Sequence, residues 1–128
     1  MTELDLNRDT VQSLIDKAHE FQAGLEVTFP DASEGGDEQW AKEVAASFAG
    51  DPFYTEFKAM VEDLDPDQQW TLVSLMWLGR GDYSVEDWDD ALKYAEQTWT
   101  DHTADYLIGT SLLADYLQGG LDAIATSP

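Results

Sequence analysis

The sequence predicts an all-α protein: a compact bundle of five to six helices in a single domain over residues 1–128, with no sheet. Three observations carry this. Apolar residues recur at i, i+3 and i+4 in segment after segment, the signature of helices with one buried face. Glycines and Asp-Pro pairs separate those segments where helices would stop and start. No segment alternates with period two for long enough to make a strand. The densest stretch, Trp70 to Leu117, holds four of the five tryptophans and three such patterns.

The first helix is expected over Asp9–Ala23. Asp9 and Gln12 have capping-box spacing, and Val11, Leu14, Ile15, Ala18 and Phe21 make its stripe. Residues 25–36, with Pro30 and the turn-rich ASEGG, read as a loop. A second helix runs from Asp37 or Glu38 to Ala49 on a Trp40, Val44, Phe48 stripe. Asp51-Pro52 begins a third, with an Asp cap and a proline whose missing N–H is no loss in the first turn. Phe53, Phe57, Met60, Val61 and Leu64 face inward from it. Asp65-Pro66 repeats the device, with Gln68 at capping-box spacing. The segments after the two Asp-Pro pairs do not otherwise match, so no internal repeat is read. The fourth helix, Pro66–Leu78, is apolar nearly all round in its second half, as a central helix is; Gly79 stands where a left-handed C-cap would. From Ser84 onward, Val85, Trp88, Leu92, Ala95, Trp99, His102 and Tyr106 suggest one stripe over about six turns. Gly109 breaks it, and Thr110 is the expected cap of a last helix bearing Leu113, Tyr116, Leu117, Leu121 and Ile124.

Charge excludes more than it assigns. Twenty-seven acids face six bases, a formal charge of −21, and such a field repels DNA, RNA and anionic lipid. Direct nucleic-acid binding is not expected. The acids run from Glu3 to Asp122 with no acidic tail, so a solvated surface suited to salty surroundings outweighs nucleic-acid mimicry. Without cysteine there is no disulfide, thiolate nucleophile or thiolate metal site. MTELDLNRDT has neither a basic nor an apolar leader region, and no apolar run reaches the roughly 20 residues of a membrane span. A cytoplasmic location without membrane contact is expected. Salt should stabilise the fold, because folding compresses like charges that unfolding separates. Raising ionic strength from about 0.1 M to about 1 M shortens the screening length from about 10 Å to about 3 Å. The melting temperature should therefore rise with NaCl in a calorimetric series; a flat or falling response would mean that the acids are paired locally.

Candidate sites are few. Arg80, one of two arginines, sits between Gly79 and Gly81 with Asp82 beside it. A guanidinium there can clamp a carboxylate or phosphate, or it can lock the corner by bonding Asp82 or helix-end carbonyls; the second role weighs more among so many acids. Trp77 and Trp88 flank this corner and are expected to be buried near each other across it. His102 lies on the apolar stripe between Asp101 and Asp105, but a metal or general-base role needs further converging groups; an interfacial histidine is the simpler reading. GDYSVEDW resembles the end of a calcium loop, yet alignment places Met76 to Gly79 at early ligand positions, which supply no side-chain oxygen. Glu86, Asp87, Asp89 and Asp90 instead suit the start of a helix. The tryptophans are spaced as core residues, with an aromatic ligand cage the weaker reading. No nucleophile elbow or phosphate loop is present, so no catalytic residue, metal or cofactor is expected.

Two motifs, Trp77-Leu78-Gly79-Arg80-Gly81-Asp82 and Tyr106-Leu107-Ile108-Gly109-Thr110 continuing into Leu112–Leu117, carry a resemblance over residues 64–121. In them the chain resembles a family of small bacterial proteins known only as a domain of unknown function. The family expects proline after Gly-Thr, where this chain has Ser111. The resemblance implies a bacterial helical domain and no assigned activity. Three readings follow: a non-catalytic interaction or accessory module working on a protein partner or as a homodimer; a small-molecule-binding regulator using the Arg80 corner; and an uncharacterised enzyme.

Overall fold

The computed structural model describes residues 6–23, 46, 48, 50–99, 103–110 and 112–126. Among them are six α-helices and no strand: α1 (Arg8–Ala23), α2 (Pro52–Glu62), α3 (Pro66–Arg80), α4 (Trp88–Thr98), α5 (Thr103–Ile108) and α6 (Leu113–Thr126), with a 3-10 turn over Val85–Asp87 before α4. The expected all-α bundle is what forms. The loop at 25–36 and most of the helix expected over 37–49 lie outside the described residues. Of that helix, Phe48 sets its ring edge-on to Phe21 at 4.9 Å.

The stripe read for α1 is the stripe that is buried: Val11, Leu14, Ile15, Ala18 and Phe21 all face the core. Its cap differs from expectation. Asn7, not Asp9, precedes the helix, and its side-chain oxygen accepts from Asp9 N at 2.7 Å. Buried Leu6 lies just before that cap and Val11 four residues into the helix, the spacing of a hydrophobic staple. At the start of α2, the Asp51 carboxylate accepts from Phe53 N and Tyr54 N at 2.8 and 3.2 Å. At the start of α3, the Gln68 side chain accepts from Asp65 N at 3.1 Å.

α3 is the central element, buried without interruption from Leu72 to Leu78. It carries hydroxyls into the core at little cost, because Thr71 and Ser74 donate to the carbonyls of Asp67 and Trp70 one turn back. Its largest contact is with α6, and glycine makes that contact possible. A β-carbon on Gly79 would stand 1.7 Å from the Tyr116 carbonyl oxygen, and one on Gly120 would stand 2.2 Å from that of Leu75. Gly79 is therefore a helical packing residue, which corrects its reading as the left-handed cap. That role falls to Gly81, with φ of 93°. Gly81 N donates to Leu78 O and Asp82 N to Trp77 O, the paired bonds of a Schellman motif.

The stripe expected to run unbroken from Val85 to Tyr106 is divided. α4 ends at Thr98 and α5 begins at Thr103, because Trp99 turns extended, with ψ of 137°, and points its indole at α3. Thr110 is likewise not the cap of α6. It is buried, its hydroxyl donates to Tyr106 O at 2.9 Å, and α6 starts only at Leu113. Leu112 makes the turn with φ of 62°, a conformation uncommon for leucine.

Candidate functional site

Three polar arrangements interrupt the apolar core. The first is the corner after α3. Trp77 is fully buried and Trp88 nearly so. The rings against Trp77 are Tyr83 and Tyr94, at 5.8 and 5.7 Å. The Trp77 indole N–H donates to the Tyr106 hydroxyl at 2.9 Å. The Trp88 indole N–H is buried and makes no hydrogen bond among the described residues. Arg80 folds back on Asp82: Nε donates to Oδ2 at 2.8 Å and Nη2 stands 2.6 Å from the same oxygen. Burial alone would depress the guanidinium, but the Asp82 hydrogen bond and charge outweigh it and hold its pKa above the ordinary value. Burial raises the Tyr106 hydroxyl too, against the Trp77 and Arg80 hydrogen bonds, which lower it. Trp77, Tyr106, Arg80 and Asp82 thus form one connected network across α3 and α5. His102, placed with them from the sequence, lies outside the described residues.

A test of Arg80 follows from this geometry. Arg80→Ala should lower the melting temperature, and Arg80→Lys should recover only part of the loss, since an ammonium cannot reproduce the planar fork. Thermal melts of the three proteins check it. If all three melt together, the corner does not depend on the guanidinium.

The second arrangement was not visible in the sequence. Asp105, in α5, is buried and receives the hydroxyl of Tyr54 from α2. Lys58, one turn after Tyr54, brings Nζ to 3.4 Å from Asp105 Oδ2. A carboxylate buried this way needs such partners, and the cluster ties α2 to α5. Burial, then the bond to Asp105, raises the Tyr54 hydroxyl far above its ordinary value of 10.0. An unfolded chain releases this proton near pH 10 while the folded chain keeps it. Above that pH the unfolded state binds fewer protons, so stability falls as pH rises. Tyr54→Phe should flatten the decline, as read from urea midpoints at neutral and alkaline pH. An unchanged slope would assign the alkaline loss to other groups.

The third arrangement centres on Gln69, which the sequence gave no reason to single out. Its amide nitrogen donates to Val61 O and Leu64 O, both at 3.1 Å. Its oxygen accepts from the Trp99 indole at 2.9 Å. One buried side chain thereby joins the end of α2, the start of α3 and the end of α4. Beside it lies a half-enclosed slot of about 20 Å³, walled by Trp70, Trp99 and Tyr106 with Thr98 and Thr103, and completed by Val73 and Ala95. A wider, open groove of about 480 Å³ lies between α1 and α6, along Gln12, Asp16, His19, Asp115 and Gln118.

Among the described residues, no group of three or more histidines and acids is placed to hold a metal ion, and no helix is long and apolar enough to cross a membrane. The fold and these clusters define an acidic, all-α bundle whose buried polar groups hold its helices together. A family described as a protein of unknown function, DUF3775, matches residues 54–125. The chain belongs to that family. The match runs from the first turn of α2 through nearly all of α6, wider than the 64–121 expected from the two motifs. No curated protein and no solved structure matches the chain.

Proposed function

We propose that the chain is a non-catalytic interaction or accessory module of the bacterial cytoplasm that docks a basic protein partner through its acidic helical surface. The observation that carries this reading is the contrast between surface and interior. The formal charge is −21, whereas the buried polar side chains that could do chemistry are engaged with one another: Asp105 with Tyr54 and Lys58, and Tyr106 with Trp77. Groups held this way stabilise a scaffold, and the field outside it attracts cationic surfaces and repels nucleic acid. The test is affinity capture from the native host, followed by calorimetric titration of the purified partner at several salt concentrations. A stoichiometric complex that weakens as NaCl rises is expected. A partner that is acidic, or binding indifferent to salt, would overturn the reading. A second copy of the chain as the partner would appear as a dimer in sedimentation velocity.

The small-molecule reading would require Arg80 to exchange Asp82 for an anionic ligand. It predicts that the Arg80 variants keep their stability and lose an anion-induced rise in melting temperature.

A further inference from the structure

We propose that the slot between Trp70, Trp99 and Tyr106 is a binding site for a primary alkylammonium group, of the kind carried by a lysine side chain. Two of its polar groups have already given away their hydrogens. The Thr98 hydroxyl hydrogen is already donated to Tyr94 O at 2.8 Å, and the Trp99 indole hydrogen to Gln69. Neither group has a polar hydrogen left to donate to an occupant. Trp70 and Tyr106 add two more rings, and no lysine or arginine is among the described residues that line the slot. Electron-rich faces with hydroxyl acceptors favour a cation that can donate hydrogen bonds, and the charge of the whole chain raises the local concentration of cations.

Size narrows the class. About 20 Å³ is room for one water-sized group, which admits the –NH₃⁺ tip of an alkyl chain and is too small for a trimethylated nitrogen. The bonds of Gln69 to Trp99, Val61 and Leu64 hold one wall in place before any ligand arrives. The slot deepens the reading of a basic partner by supplying an anchor for one lysine, and it can be tested apart from that partner.

The experiment follows the five indole N–H resonances of the full chain by NMR at constant ionic strength, assigned by single Trp→Phe substitutions. The titrants are n-butylammonium, n-butanol and tetramethylammonium, with acetyl-Gly-Lys-Gly-amide as a peptide source of the same ammonium. Saturable shifts of the Trp70 and Trp99 signals with n-butylammonium alone among the first three are expected, and Trp70→Leu, at a half-buried position, should weaken the response several-fold. Equal shifts with n-butanol would show an apolar slot indifferent to charge. Equal shifts with tetramethylammonium would show general attraction to an acidic surface. Either result, or no saturable shift, overturns the proposal. A response to n-butylammonium but not to the peptide would assign the slot to free amines. Should the slot fail while a basic protein still binds, only the slot is lost; should the slot bind while no basic partner exists, the docking reading fails alone.

Discussion

Trp77→Ala is expected to lower stability by about 3–5 kcal/mol, the range for removing a large aromatic side chain from a packed core. Trp77 is fully buried at the end of the central helix, where the rings of Tyr83 and Tyr94 lie against it. Alanine would leave a cavity that the helical backbone cannot close, and it would also deprive the Tyr106 hydroxyl of its indole donor. A loss of this size is a large share of the total stability of a domain. A comparison separates packing from hydrogen bonding. Trp77→Phe keeps most of the ring volume and loses the bond to Tyr106. Trp88→Phe loses no bond to the described residues, because the Trp88 indole N–H makes none with them. The first should therefore cost more than the second in urea denaturation. Equal costs would mean that the bond between Trp77 and Tyr106 contributes nothing net.

The parts of this fold that could be read from the sequence are those governed by near neighbours. The α1 stripe needs only its own spacing, and the caps of α2 and α3 need only Asp51 and the Asp65–Gln68 pair. Apart from the α1 cap, where Asn7 takes the place of Asp9, and Phe53, which is exposed rather than inward, the misreadings fall where a distant residue decides. Nothing within Gly79-Arg80-Gly81 says which glycine takes the left-handed turn and which admits a neighbouring helix; the backbones of Tyr116 and Gly120 decide it. The stripe through Trp99 looks continuous until Gln69, thirty residues earlier, draws the indole aside. The candidate corner divides in the same way. Arg80 and Asp82 are near in sequence and their pairing could be foreseen, while Tyr106 arrives from α5. Asp105 stood out in the sequence only as a neighbour of His102, not as a partner of α2. Its role comes from burial against Tyr54 and Lys58, which only the packing of α2 on α5 produces.

Gly79→Ala is expected to be among the most damaging small substitutions in the chain, although alanine is the better helix former by about 1 kcal/mol. The added carbon would fall 1.7 Å from the Tyr116 carbonyl oxygen, and both partners are backbone, so no side chain can swing clear. α3 and α6 would have to separate along the largest helix contact of the bundle. Overpacking a core costs about 1–3 kcal/mol and occasionally more; a clash of backbone with backbone belongs at the upper end. Gly120→Ala meets Leu75 O at 2.2 Å and should behave alike. Gly119→Ala is the control. Its added carbon would approach nothing closer than 3.5 Å, an ordinary contact, so helix propensity should prevail and stability should hold or rise. Melting temperatures of the three variants separate local preference from helix approach. If Gly79→Ala melts at or above the parent, α3 and α6 do not meet through their glycines, and the position of Gly79 must be explained by the Arg80 corner instead.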